Sequence, residues 1–185
     1  GVPISVKDNI CVKDVETTAG SKILRGYRPL FDAFVIQRVK EEGGIIIGKT
    51  SQDEFGFGAF SVNTSNVPKN PFDRERSCGG SSGGAAGLSQ KLSNHIALGE
   101  STGGSIVTPS NFCGVYGLCP TYGRVSRHGL IDFSNSLDKI GPIGKTIEDV
   151  ALLMNLIAGY DKNDSTSLNV KNEDYEEYLK KPIKG

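Results

Sequence analysis

Apolar and polar positions alternate from Val2 to Val6, a pattern that predicts a strand. Asp32 then stands as a helix N-cap ahead of AFVIQRVKEEGG. There Phe34, Val35, Val39 and, less well, Arg38 fall near helical spacing, and Gly43 supplies a C-terminal stop. GIIIGK follows as a short apolar run bounded by glycines, which predicts a buried strand. This strand-helix-strand order predicts α/β architecture. After Gly84, AAGLSQKLSN reads as a helix with Leu88 and Leu92 as an i, i+4 pair, and HIALG as the strand after it. TIEDVALLMNLIAGY carries the clearest helical period. Thr146 caps it, Asp149 sits at the third helical position, and Gly159 ends it. The tail from residue 171 to 185 is charged and reads as peripheral to a single domain. No internal repeat interrupts the order.

Two glycine-serine clusters bracket the central helix and strand: GGSSGG at 79–84 and STGGS at 101–105. A flexible linker would be polar throughout and without period. A helix followed by a strand instead returns the chain across a sheet, so both clusters are expected at one sheet edge. A phosphate loop is the second reading, because N–H groups ahead of a helix attract anions. However, no GxxxxGK[ST] is present, and the charged residues Asp73, Arg74, Glu75 and Arg76, not a strand, precede the first cluster. The third reading is nucleophilic catalysis. Thr102, Gly103 and Gly104 can turn several N–H groups toward one point, with the Ser105 hydroxyl at its end. Such a serine needs a base. His95 lies in a strand-like run and His128 in a polar loop, both read as structural. Lys7, at the end of the first strand, serves as a base if burial keeps it neutral; otherwise it is an ordinary surface lysine.

Composition narrows the classes. Lys plus Arg and Asp plus Glu number 21 each, so the net charge is zero and gives no electrostatic case for direct nucleic-acid or membrane-surface binding. Glycine accounts for 24 of 185 residues while 37% of positions are hydrophobic, so the glycines are read as special backbone positions in a packed domain. No apolar run approaches the ~20 residues of a membrane-spanning helix. Cys11, Cys78, Cys113 and Cys119 form no CxxC and have few histidines to join them, so reduced thiols are expected rather than a metal site or a nucleophile. Gly1 opens the first strand without an initiator Met, which reads as a piece of a longer protein.

GVPISVKDN, GGSSGG and GESTGGSI, in that order, resemble the amidase signature family. The resemblance implies a mixed β-sheet covered by helices on both faces, and a Ser-cisSer-Lys triad. Residue by residue it implies Ser105 as nucleophile, Ser81 as the bridging serine after a cis peptide, and Lys7 as base. Thr102, Gly103, Gly104 and Ser105 correspond to the oxyanion-hole segment. TTAGSKIL, DEFGFG, PTYGRVSRHGL, SLDKIGP and DSTS are most similar to the branch formed by A subunits of glutamyl-tRNA(Gln) amidotransferases. That branch implies L-glutamine as amide donor, cytoplasmic B and C subunits as partners, and Glu-tRNA(Gln) held by a partner that uses ATP and Mg²⁺. No cofactor is implied for this chain. A stand-alone amidase of small amides and a non-catalytic scaffold of the same fold are the alternatives. Several positions depart from the pattern. Ala85 stands where many relatives have serine, Glu100-Ser101 where they have Ser-Asp, Val107 where they have Arg, and SQDEF replaces NMDEF. Family members are also longer. The resemblance therefore places an N-terminal helical part and a large C-terminal part outside this chain, with most groups that hold the glutamine α-carboxylate and α-amine.

Overall fold

A computed structural model describes residues 1–182. Five strands form one sheet in the order β2-β1-β3-β5-β4. They are β1 (Pro3–Lys7), β2 (Ile45–Thr50), β3 (Ile96–Ser101), β4 (Tyr116–Gly117) and β5 (Lys139–Gly144). β1 runs parallel to both β2 and β3, while β5 is antiparallel to β3 and β4, so the sheet is mixed. The helices are α1 (Phe34–Glu41), α2 (Gly83–Lys91), α3 (Val107–Cys113), α4 (Ile147–Ile157) and α5 (Tyr175–Leu179).

Period-two alternation divides the core between the two faces of the sheet. Ile4 and Val6 of β1 and Ile96 and Leu98 of β3 pack with Val35, Ile36 and Val39 of α1 and Leu153, Met154 and Ile157 of α4. Ala97 of β3 and Ile143 of β5 pack on the other face with Ala85 and Ala86 of α2, and with Ile106 and Cys113 around α3. Small residues on α2 let it approach this face closely. Helices therefore cover both faces, as the family resemblance implies.

Four local expectations change. Asp32 does not cap α1; Ala33 holds that position without a side-chain bond. The Asp32 carboxylate instead accepts from the Lys13 N–H at 2.8 Å and pairs with Lys40 at 2.7 Å. The first amide of α1 is satisfied by tertiary structure, since Phe34 N–H donates to the His128 carbonyl at 3.0 Å. α2 begins at Gly83 and stops at Lys91, which leaves Leu92 outside it. β3 continues two residues past Gly99, so Glu100 and Ser101 are strand residues. β2 is not a buried strand: it lies at the sheet edge, with Ile45 54% and Ile47 47% exposed. An apolar run looks the same at an edge and at the centre, because strand order is set by pairing partners far away in sequence.

Thr146 caps α4 as expected, accepting from Asp149 N–H at 3.1 Å, and the helix ends at Ile157, with Ala158 as C-cap just before Gly159. Part of the charged tail docks. Tyr175 of α5 is half-buried against the α4 face, and its hydroxyl accepts from Arg124 Nε at 2.8 Å. Residues 183–185 of that tail lie outside the described residues. No described helix is long and apolar enough to cross a membrane.

Candidate active site

The parallel pairing of β1 and β3 brings Lys7 and Glu100–Ser101 to the same C-terminal sheet edge. Clefts outside carboxyl strand ends are where open α/β sheets hold ligands. The chain leaves β3 through Thr102–Ser105 and enters α3. The other cluster, at 79–82, leads into α2 at the same edge. The two clusters meet there: Ser82 N–H donates to the Ser105 carbonyl at 3.2 Å, and the Ser82 hydroxyl donates to the Glu100 carbonyl at 3.0 Å.

The Gly80–Ser81 peptide is cis. Gly80 has no room for a side chain, since an added Cβ would lie 2.4 Å from Asp53 Oδ2 and 2.7 Å from Ser61 N. Asp53 organises this wall. Its carboxylate accepts from the N–H groups of Ser61 at 2.8 Å and Asn63 at 3.0 Å, and its own N–H donates to the Ser81 carbonyl at 3.3 Å.

Lys7 is fully buried. Its Nζ donates to Ser81 Oγ at 2.7 Å, to the Glu100 carbonyl at 2.9 Å and to Glu100 Oε2 at 2.8 Å. Burial pushes the Lys7 ammonium below its ordinary pKa; the Glu100 carboxylate, and more weakly Asp53 and Asp138, pull the other way. Asn9 Nδ2 also donates to Glu100 Oε2, at 3.2 Å. The Thr102 hydroxyl lies 2.6 Å from Asp138 Oδ1 and 3.3 Å from Glu100 Oε1.

Ser105 is 8% exposed and lines an open cavity of about 320 Å³. Gly80, Thr102, Gly103 and Gly104 line it too, with Phe57 and Phe133 as apolar wall. Among the described residues, no backbone carbonyl accepts from the N–H of Gly103, Gly104 or Ser105. These three residues line the cavity with their amides free of a backbone partner. A larger polar cavity of about 460 Å³, lined by Asp8, Glu16, Arg25 and Lys49 among others, contains neither Ser81 nor Ser105.

All six residues singled out in the sequence, Lys7, Ser81, Thr102, Gly103, Gly104 and Ser105, thus surround one sheet edge. The histidines stand apart. His95 is buried against the Ser5 hydroxyl at 2.9 Å, and burial lowers its pKa; His128 stacks on Phe31. The four cysteines are free thiols. Sequence reasoning passes over Asn9, Asp53 and Asp138, and meets Glu100 only as a departure. A usable signal is the lone acid in the otherwise small and apolar run IALGES.

The arrangement sets the buried Lys7 amine on Ser81 Oγ beside a cavity lined by Ser105, and among the described residues no hydrogen bond joins Ser105 Oγ to Ser81 Oγ. The amidase family profile matches residues 1–185. The glutamyl-tRNA(Gln) amidotransferase A subunit of Sulfurihydrogenibium sp. is 52% identical over this whole chain, and that of Halothermothrix orenii 51%. The chain spans 38% and 39% of those relatives' lengths. Among solved structures, the glutamyl-tRNA(Gln) amidotransferase A subunit from Thermotoga maritima superposes with a TM-score of 0.89 at 47% identity, over 92% of this chain and 38% of that one. The peptide amidase of Stenotrophomonas maltophilia superposes with a TM-score of 0.89 at 34% identity, over 96% of this chain and 38% of that one.

Proposed function

This chain belongs to the amidase family, and on that premise we propose that it carries the ammonia-releasing site of a glutamyl-tRNA(Gln) amidotransferase, in the position of that enzyme's A subunit. The observation that carries the reading is the contact between fully buried Lys7 and Ser81 Oγ at 2.7 Å, beside the cavity that exposes Ser105. Ser105 Oγ attacks the side-chain amide carbonyl of L-glutamine. Its proton passes to Ser81, whose own proton passes to neutral Lys7. The N–H groups of the Thr102–Ser105 turn stabilise the tetrahedral oxyanion. Loss of one such donor costs about 3 kcal/mol of barrier. The relay then returns a proton to the leaving ammonia, and water hydrolyses the acyl-enzyme.

Burial supports this reading, because an exposed lysine with a pKa of about 10.4 would be protonated and inert as a base at pH 7. In the wider assembly, B and C subunits complete a cytoplasmic heterotrimer for protein biosynthesis. A partner binds Glu-tRNA(Gln) and uses ATP and Mg²⁺ to activate it, and ammonia from this site amidates it. Zero net charge fits that division of labour. A second reading, an amidase acting without partners, is favoured by the similarity to the peptide amidase.

Treatment with a fluorophosphonate, followed by mass spectrometry, tests the site without requiring glutamine-binding groups. The expected result is an adduct on Ser105 that is lost in Lys7→Ala and Ser81→Ala. A folded chain without that adduct overturns the reading. Co-purification of B and C subunits separates the amidotransferase from the stand-alone amidase.

A further inference from the structure

We propose that Glu100 is a positioning residue for the relay: it holds two of the three hydrogen-bonding directions of Lys7 so that the third meets Ser81, and its charge sets the pH at which Lys7 begins to act as a base. This inference rests on the Ser105-Ser81-Lys7 reading above.

The geometry is specific. Lys7 Nζ has three partners, and two of them belong to Glu100: its carbonyl at 2.9 Å and Oε2 at 2.8 Å. A carbonyl and a carboxylate only accept hydrogen bonds, whereas a serine hydroxyl both donates and accepts. When Lys7 loses a proton it keeps two N–H groups and gains one lone pair. The two N–H groups must stay on Glu100, since neither of its oxygens has a hydrogen to give. The lone pair is left facing Ser81 Oγ, the one partner of the three that carries a proton. Glu100 thus aims the base at its proton donor.

Glu100 is itself held. Oε2 receives Asn9 Nδ2 at 3.2 Å, and Oε1 lies 3.3 Å from the Thr102 hydroxyl. Gly56, at φ +77°, leaves space beside it, since an added Cβ would sit 3.5 Å from Glu100 Oε2 and 3.7 Å from Ser81 Oγ. The charged groups that face Lys7 are Glu100 from β3, Asp53 from the segment after β2 and Asp138 from the segment before β5. Only Glu100 touches it among these three. An adjacent negative charge favours the ammonium. Glu100 therefore raises the pH at which Lys7 becomes neutral, and it stabilises the ammonium that forms when Ser105 attacks.

The test is the pH dependence of fluorophosphonate labelling at Ser105 in the wild type, Glu100→Gln and Glu100→Asp. Gln keeps an accepting oxygen and removes the charge. Its acid limb is expected to move to lower pH by about 1–3 units, with a lower plateau rate. Asp keeps the charge and shortens the reach, so its limb stays near the wild-type position while the plateau falls by about 100-fold. A Gln limb at or above the wild-type position, or an Asp plateau equal to wild type, overturns the proposal. Should circular dichroism find the Gln variant unfolded, the Asp plateau decides alone. Labelling that survives Lys7→Ala, or a wild type unlabelled at Ser105, removes the relay reading and this inference with it. Lys7-dependent labelling with an unmoved Gln limb removes this inference only.

Discussion

The backbone N–H of Ser82 donates to the carbonyl of Ser105 at 3.2 Å. That bond ties the loop feeding α2 to the turn feeding α3, so the segments that carry the two serines of the proposed relay are joined through main chain. The Ser82 hydroxyl adds a second tie to the Glu100 carbonyl at 3.0 Å. Side-chain removal at Ser105 leaves these bonds in place, whereas at Ser81 it also takes an acceptor from buried Lys7, so reactivity there is read beside a melt.

Ser105→Ala is expected to abolish fluorophosphonate labelling while leaving the thermal transition near wild type. Ser81→Ala is expected to slow labelling by about 10²–10⁴-fold, the usual contribution of a positioned proton-transfer group. Labelling rates measured beside circular dichroism melts check both. A Ser81→Ala rate equal to wild type would remove Ser81 from the relay.

Lys7→Ala leaves the Glu100 carboxylate buried without its cation. Breaking a buried pair in this way costs about 3–5 kcal/mol. Urea unfolding should therefore show a large fall in midpoint for Lys7→Ala, and reactivity of that variant must be read where it is folded. A midpoint equal to wild type would mean that Glu100 finds water or another partner.

Gly80→Ala should displace the loop that carries Ser81. The added Cβ would meet Asp53 Oδ2 at 2.4 Å, Ser61 N at 2.7 Å and Phe60 N at 2.8 Å, and two of these three are backbone atoms. Overpacking of this kind costs about 1–3 kcal/mol. Labelling at Ser105 is expected to fall further than stability does, because the displaced residue neighbours Ser81. Parallel melts and labelling of the variant distinguish the two effects.

Lys49 gives a pH dependence of stability away from the site. Burial holds its pKa down at about 8, against the opposing pull of Asp8, whose Oδ1 lies 3.5 Å away. The unfolded chain keeps this proton up to about pH 10.4, so between about 8 and 10.4 the unfolded state binds more protons than the folded state. Stability contributed by Lys49 therefore rises with pH across that window, and below it the buried ammonium is a constant cost. The wild type should gain up to about 3 kcal/mol relative to Lys49→Met between pH 8 and 10.4. Urea titrations of both proteins across the window measure it, and a flat difference would refute it.

Much of this was legible in the chain. Thr146 and the apolar period behind it give α4, because the cap and the stripe are local. The apolar alternation before Lys7 gives β1, and the motifs around Lys7, Ser81 and Ser105 identify the residues that gather at one edge. What was not legible involved partners distant in sequence. Asp32 reads as a cap, yet its carboxylate goes to Lys13 and Lys40 while the His128 carbonyl serves the helix amide. GIIIGK reads as buried, yet pairing puts β2 at an edge.

Glu100 marks the division most clearly. The sequence alone determined that an acid stands just ahead of a Ser-Thr-Gly-Gly turn, that a lysine ends the first strand, and that a helix and a strand separate the two clusters. Only the tertiary structure decided that this acid meets that lysine. β3 had to run two residues past its predicted end, and parallel pairing had to set its C-terminal end beside that of β1. Local pattern fixes the period of a strand, whereas register and neighbours follow from packing the whole sheet between its two layers of helices, and no short stretch of chain contains that information.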